Sequence, residues 1–410
     1  MKADMIVECG QIATPKGSGQ LSGDGMNSVS LTDDAAMAIV GGRFAACGKR
    51  KSIERDFTGR KIALGDRLVI PSFVDCHSHA LFAGSREDEL QKKLRGVPYM
   101  QILKEGGGIL RTVASTRRAG VRQLMSETRK RLDGMLRNGI TCVEVKSGYG
   151  LNLEQELRML RVIGRLGSER QLTVPTYLGA HAVPPESDRR AYVDDIIDRQ
   201  LPAVIRSGLS SICDIFVEEG AFTTDDAVRI FAAASRLGFR LTAHVDEFSC
   251  TGASEILSRL GASSLSHLAH TSSDSFSVLA ENGTMGIILP STLLFSLSAE
   301  YPKASKMISE GMAVALGTDL SPNSWNESMM LSALLSVYRC GLTQEEALTA
   351  ATLNAASAAG MGSECGSIEA GKRADFICLD IASFGRLFYS HSDSLISSVY
   401  SAGHEVYGRQ

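Results

Sequence analysis

The sequence predicts an α/β chain: a (β/α)8 TIM barrel with a small β-sandwich domain formed from both termini. Three observations predict it. Short apolar runs alternate with longer helical segments from about residue 68 to 360, which is the pattern of repeated strand-helix units. Polar residues able to do chemistry follow these runs, where a barrel carries its site at the strands' C-terminal ends. Outside that stretch the style changes to strand-like segments broken by glycine turns.

The runs read as strands are Leu68–Val74, Ile140–Val145, Leu172–Leu178, Ile212–Val217, Arg240–Ala243, Ser263–Leu268, Thr284–Leu289 and Met312–Leu316. Helical stretches lie between them, among them 121–139, 152–166 and 225–238. The second places Leu153, Leu157, Leu160 and Ile163 on one stripe, the period of an amphipathic helix, and ends at Gly167 as a glycine cap. At the start, MIVECGQIAT and AAMAIVGGRFAACG read as hairpin strands, and GSIEAGKRADFICLD and SSVYSAGHEVYGR repeat that style at the end. The expected division is 1–67 plus 362–410 for the small β domain and 68–361 for the catalytic barrel.

A chain of 410 residues, 44% of them hydrophobic, can bury a large core. No apolar run approaches the ~18–20 residues a membrane span needs, and the start lacks the layout of a secretory signal. A net charge of -3 with mixed signs gives no footprint for nucleic acid or an anionic membrane. Nine cysteines without CxxC spacing read as reduced thiols, so the expected setting is the cytoplasm and the expected partner a small-molecule substrate.

The chemistry concentrates in IPSFVDCHSHALFAGSREDEL (70–90). Side chains two apart on a strand share a face, so His77 and His79 emerge together, while Cys76 turns away into the core. Past successive runs come His79, Lys146 with Ser147, His181, Glu218, His244 with Glu247, His267 and finally Asp319. Only the seventh run ends blandly, at Pro290-Ser291. Five of the eight histidines sit at strand ends, which a random scatter would not give. His77, His79, His244 and Asp319 would converge over the barrel mouth. Three neutral imidazoles and a carboxylate suit one divalent metal ion, zinc or iron, with a position left open for water.

Longer motifs narrow the reading. PSFVDCHSHALFAGSREDEL, GGGILRTVASTR (106–117), EVKSGYGL (144–151), YLGAHAVPPE (177–186), AHVDEF (243–248) and GTDLSP (317–322) resemble those of the amidohydrolase superfamily and, within it, the imidazolonepropionase family. The resemblance implies hydrolysis of the cyclic amide of 4-imidazolone-5-propanoate to N-formimidoyl-L-glutamate, in histidine degradation, by metal-activated water. It implies His77, His79, His244 and Asp319 as the metal set, with Asp319 as proton acceptor. It implies Arg86, Tyr149, His181, Ser321, Asn323 and Ser324 as substrate contacts, Glu247 and His267 beside the reacting ring, and a homodimer. Arg86 can grip a carboxylate bidentately, and His267 or His181 could donate to a developing oxyanion.

Plainer readings stand beside these. Arg86 could pair with Glu87 or Asp88, Tyr149 could be a mere loop residue, and His181 and His267 could be satisfied core histidines. Glu218, with His267, is the candidate for holding a second ion, against a structural hydrogen-bonding role. Two departures touch the substrate end. After the strand-eight aspartate the family usually reads Asn-Pro-Gly-Ser/Thr, whereas this chain has Ser321-Pro322-Asn323-Ser324; and Ser266 stands where the family tends to place Asp. The rival activity is that of a superfamily deaminase or hydrolase of a related heterocycle, distinguished, for a deaminase, by ammonia release. A catalytically dead scaffold would have lost metal ligands, and none is lost.

Overall fold

The computed structural model describes residues 1–410 other than 18, 98–100, 103, 104, 169, 393 and 410. Sixteen strands among the described residues fall into two sheets. Five belong to the N-terminal stretch: β1 (Lys2–Pro15), β2 (Val29–Val40), β3 (Arg43–Lys49), β4 (Thr58–Ala63) and β5 (Leu68–Pro71). The barrel is β6 (Phe73–Asp75), β7 (Ile140–Lys146), β8 (Leu172–Ala180), β9 (Ile212–Val217), β10 (Arg240–Val245), β11 (Ser264–His267), β12 (Met285–Ile288) and β13 (Val314–Leu316). Three C-terminal strands follow: β14 (Phe376–Leu379), β15 (Ile396–Ser401) and β16 (His404–Gly408).

The barrel strands are parallel neighbours in chain order, as the eight apolar runs predict. Every residue of β7 is buried, as expected of a parallel sheet covered on both faces. The ring closes without a β6–β13 ladder among the described residues. A seam of separate bonds joins the two ends instead. The Asp75 carboxylate accepts from the Thr318 amide at 3.0 Å and from its hydroxyl. The Asp319 amide donates to the His77 carbonyl at 3.0 Å, and the His79 amide to the Leu320 carbonyl at 2.9 Å. The Cys76 thiol, buried as expected, donates to the Leu316 carbonyl.

Two local expectations change. The run Leu68–Val74 is two strands, not one: β5 pairs with β14 and β1 in the terminal sheet, and only β6 belongs to the barrel. Ser72 is the crossing point, its amide on the Asp375 carbonyl of one sheet and its hydroxyl against Thr141 of the other. The helix Leu153–Leu166 buries Leu160 and Ile163 of that stripe and packs Leu157 partly against the core, while Met159 and Val162 widen the buried face and Leu153 stays half-buried at its start. Gly167 has φ −58° and is no left-handed cap, because the chain runs directly into the Ser168–Gln171 bridge ahead of β8.

The terminal sheet has the order β16-β15-β14-β5-β1-β2-β3, with β4 also on β1. Phe44 of β3 and Phe376 of β14 stand four strands apart in that order, roughly 19 Å across a flat sheet. Their ring centroids lie only 6.3 Å apart. The sheet therefore folds over itself as a sandwich, around Val7, Cys9, Met37, Val69, Phe376 and Cys378. All nine cysteines are free thiols, and no helix among the described residues is long and apolar enough to cross a membrane.

Candidate active site

The seam brings His77, His79 and Asp319 together, because backbone bonds lock the end of the first barrel strand to that of the eighth. His79 Nε2 lies 3.6 Å from Asp319 Oδ1 and 3.2 Å from His244 Nε2, and His77 Nε2 lies 3.7 Å from Asp319 Oδ1. Four donors each ~2.1 Å from one ion in a tetrahedral array would lie about 3.4 Å apart. The observed spacings match. His77 Nε2 is buried without a hydrogen-bond partner among the described residues, as a ligand atom waiting for a cation would be. His77, His79 and Asp319 form one compact donor set and His77, His244 and His267 a second that shares His77, and either suits a divalent ion.

His244, His77 and Asp319 are oriented from behind, whereas His79 Nδ1 is buried without a hydrogen-bond partner among the described residues. His244 Nδ1 bonds Asp214 Oδ1 at 3.0 Å, and since a carboxylate only accepts, that nitrogen carries the proton and Nε2 presents a lone pair. Burial pushes the Asp214 carboxyl up, but His244 and Lys146 outweigh it and hold it below the ordinary range. Lys146 is pinned between Asp214 at 2.8 Å and Glu144 at 3.0 Å; despite burial, those two carboxylates hold it charged. His77 Nδ1 meets the Ser266 hydroxyl at 2.9 Å. Thr292 donates to Asp319 Oδ2 at 2.7 Å, leaving Oδ1 to face the imidazoles. Burial pushes Asp319 up to about 7 and His77 and His79 well down, which favours neutral imidazoles with free lone pairs.

A cavity of about 640 Å³ opens over this cluster. His79, His244 and Asp319 line it together with Tyr149, His181, Phe216, Glu247, His267, Arg86, Ser321 and Asn323. Glu247 Oε2 lies 3.5 Å from His267 Nε2, and burial beside Asp319 and Glu218 raises the Glu247 carboxyl well above its usual value. Tyr149 packs against His79 and His181. Its loop is held by Glu156, whose buried carboxylate accepts the amides of Gly148, Gly150 and Leu151.

Three expectations need correction. His181 Nδ1 faces the Gly148 carbonyl at 3.0 Å and must donate to it; burial pushes the ring down to about 3, so it is neutral. Its Nε2 is therefore an acceptor, and His181 cannot donate to an oxyanion as first supposed. Arg86 pairs with neither Glu87 nor Asp88 but donates through Nε and Nη2 to Glu89 Oε2, at 2.9 and 2.8 Å. Ser324 is fully buried and lies outside the cavity lining. Glu218 lines the cavity, yet its oxygens take the Phe248 and Ser249 amides and the Ser249 hydroxyl, the structural role.

The amidohydrolase family model matches residues 68–406. An imidazolonepropionase of Caldanaerobacter subterraneus subsp. tengcongensis is 39% identical over 99% of this chain and 99% of its own length. One of Symbiobacterium thermophilum is 41% identical over 97% and 96%. The chain belongs to the amidohydrolases, in the imidazolonepropionase family. Solved structures share the fold at low identity. A zinc-bound adenosine deaminase from Xanthomonas campestris superposes with a TM-score of 0.73 at 18% identity, covering 98% of this chain and 93% of that one. Escherichia coli guanine deaminase gives 0.67 at 16%, covering 99% and 100%.

Sequence reasoning missed several residues of this site. Asp214 was legible in principle: counting back by two from Glu218 along its strand reaches Phe216 and Asp214, which share an inward face. Thr292 had no such signal, since it sits on the short helix Pro290–Phe295 after the strand that ended blandly. Glu156 reads in sequence as one more helix-surface carboxylate.

Proposed function

We propose that this chain hydrolyses 4-imidazolone-5-propanoate to N-formimidoyl-L-glutamate. The observation that carries the reading is one cavity joining the four-donor cluster to a buried arginine. The substrate likewise joins a cyclic amide to a carboxylate. When bound, a divalent ion at His77, His79, His244 and Asp319 lowers the pKa of a water and polarises the ring carbonyl. Three imidazoles and one carboxylate suit zinc or ferrous iron.

The chain's own residues do the rest. Asp319 Oδ1 takes the water's proton while Thr292 holds Oδ2 in place. The water oxygen bonds to the carbonyl carbon, the ring C–N bond breaks, and the proton passes to the departing nitrogen. That leaves a carboxylate and the formimidoyl amine. His181 Nε2, an acceptor, can take a ring N–H. Glu247, whose carboxyl burial pushes up, can share a proton with a ring nitrogen beside His267. Arg86 grips the propionate.

The test is turnover of imidazolonepropionate by protein whose metal content is measured in parallel. Ring opening without ammonia release, dependent on one ion per chain, is expected. Full activity after complete metal removal, or stoichiometric ammonia, would sink the reading.

A further inference from the structure

Asn323 lines the cavity beside Arg86 in an unusual electrostatic position. Its Oδ1 accepts from Lys93 Nζ at 2.7 Å and from Arg86 Nη2 at 3.4 Å. Lys93 also reaches the Asn323 carbonyl at 3.3 Å, so one ammonium is chelated by the main-chain and side-chain oxygens of one residue. A planar amide with two cationic donors on its oxygen edge cannot flip, because the flip would turn its NH2 toward two cations. Its Nδ2 therefore points the other way, and makes no hydrogen bond among the described residues. The turn beneath is braced: the Ser321 hydroxyl accepts the amides of Asn323 and Ser324, and the Ser321 amide donates to the Ser324 carbonyl. Arg86 and Asn323 line the cavity, whereas Lys93 stands behind them. With Glu89 on Arg86, these charges sum to a single positive one, which suits a monocarboxylate.

We infer that the Asn323 side-chain amide donates to the substrate's carboxylate alongside Arg86, and that Lys93 is a positioning residue that sets the amide's orientation. The inference rests on the reaction proposed above. It makes recognition of the carboxylate a charged grip plus a neutral donor whose direction is fixed from outside the cavity.

A double-mutant cycle tests it, read as kcat and KM on imidazolonepropionate and on a ring analogue lacking the propionate. Asn323→Ala should raise KM by roughly 5–10-fold with kcat kept, the signature of lost uniform binding. Lys93→Met should do nearly the same, because the freed amide can turn away. The double variant should be no worse than Asn323→Ala alone, since Lys93 acts only through that amide. Asn323→Asp satisfies both cations but presents an anionic oxygen, so KM should rise further than in Asn323→Ala. None of these changes should alter metal content or turnover of the analogue. Wild-type KM in Lys93→Met, or additive losses in the double variant, would overturn the inference while leaving the reaction intact. A wild-type chain with no preference for the acid-bearing substrate would remove the reaction itself, and this inference with it.

Discussion

Asp319 and Asp214 are both buried carboxylates within one bond of the ligand cluster, and the structure separates their duties. In the proposed reaction Asp319, which faces the imidazoles, takes the proton, so Asp319→Asn should cut turnover by about 10²–10⁴-fold while retaining some metal. Among the described residues the Asp214 carboxylate pairs with His244 and Lys146. Asp214→Asn should weaken metal affinity by about 10–100-fold, with turnover restored by excess metal. Equilibrium dialysis paired with turnover distinguishes them, and a restored Asp319→Asn would reverse the assignment. The four proposed ligands could be named from the sequence because each follows an apolar run at the parity that faces the mouth. His181's protonation was not, since it depends on a carbonyl 33 residues away that only the folded loop brings to 3.0 Å.

At the scale of elements, the loop after β7 and the end of β8 form one unit. Gly148 has φ +98°, and a Cβ there would stand 2.9 Å from His181 Nδ1 and 3.0 Å from the Leu178 carbonyl. Gly148→Ala should therefore displace His181 and strain the backbone, costing about 1–3 kcal/mol in stability. It should lower kcat/KM at least 10-fold, on the order of 1.4 kcal/mol, with metal content unchanged. Unaltered kinetics would show that His181 does not depend on this loop. The eight strands were readable from periodicity, but the split at Ser72 was not. Leu68–Val74 is apolar but for Ser72 because both pieces are buried, and hydrophobicity does not record which sheet buries them. Pro71, unable to donate to a ladder, was the available clue.

Across the whole molecule, burial holds five imidazoles neutral: those of His77, His79, His181, His244 and His267. Unfolded, each takes up a proton below about pH 6.5. The unfolded state then binds more protons than the native one, so these groups lower stability as pH falls. Buried carboxyls such as Asp75, pushed up to about 7, act in the opposite sense. The effect is therefore cleanest as a difference between two proteins. His181 is held at about 3, so between pH 6.5 and 5 it should cost the wild type up to about 2 kcal/mol. His181→Phe should escape that loss, and denaturant titrations of both proteins at the two pH values measure it. Parallel stability curves would mean that His181 titrates normally in the native chain.

The seam between the first and eighth barrel strands has a kinetic consequence. Asp75 and Thr318 are 243 residues apart in the chain, and the ligands His77 and Asp319 flank that junction. Such a distant pairing is among the last to form when a chain collapses through local contacts first. No partly folded intermediate can therefore assemble the full ligand set. During refolding, acquisition of tight metal binding should lag the recovery of helical signal and coincide with ring closure. The ion, arriving at the junction, would act as a rivet that slows reopening of the finished ring.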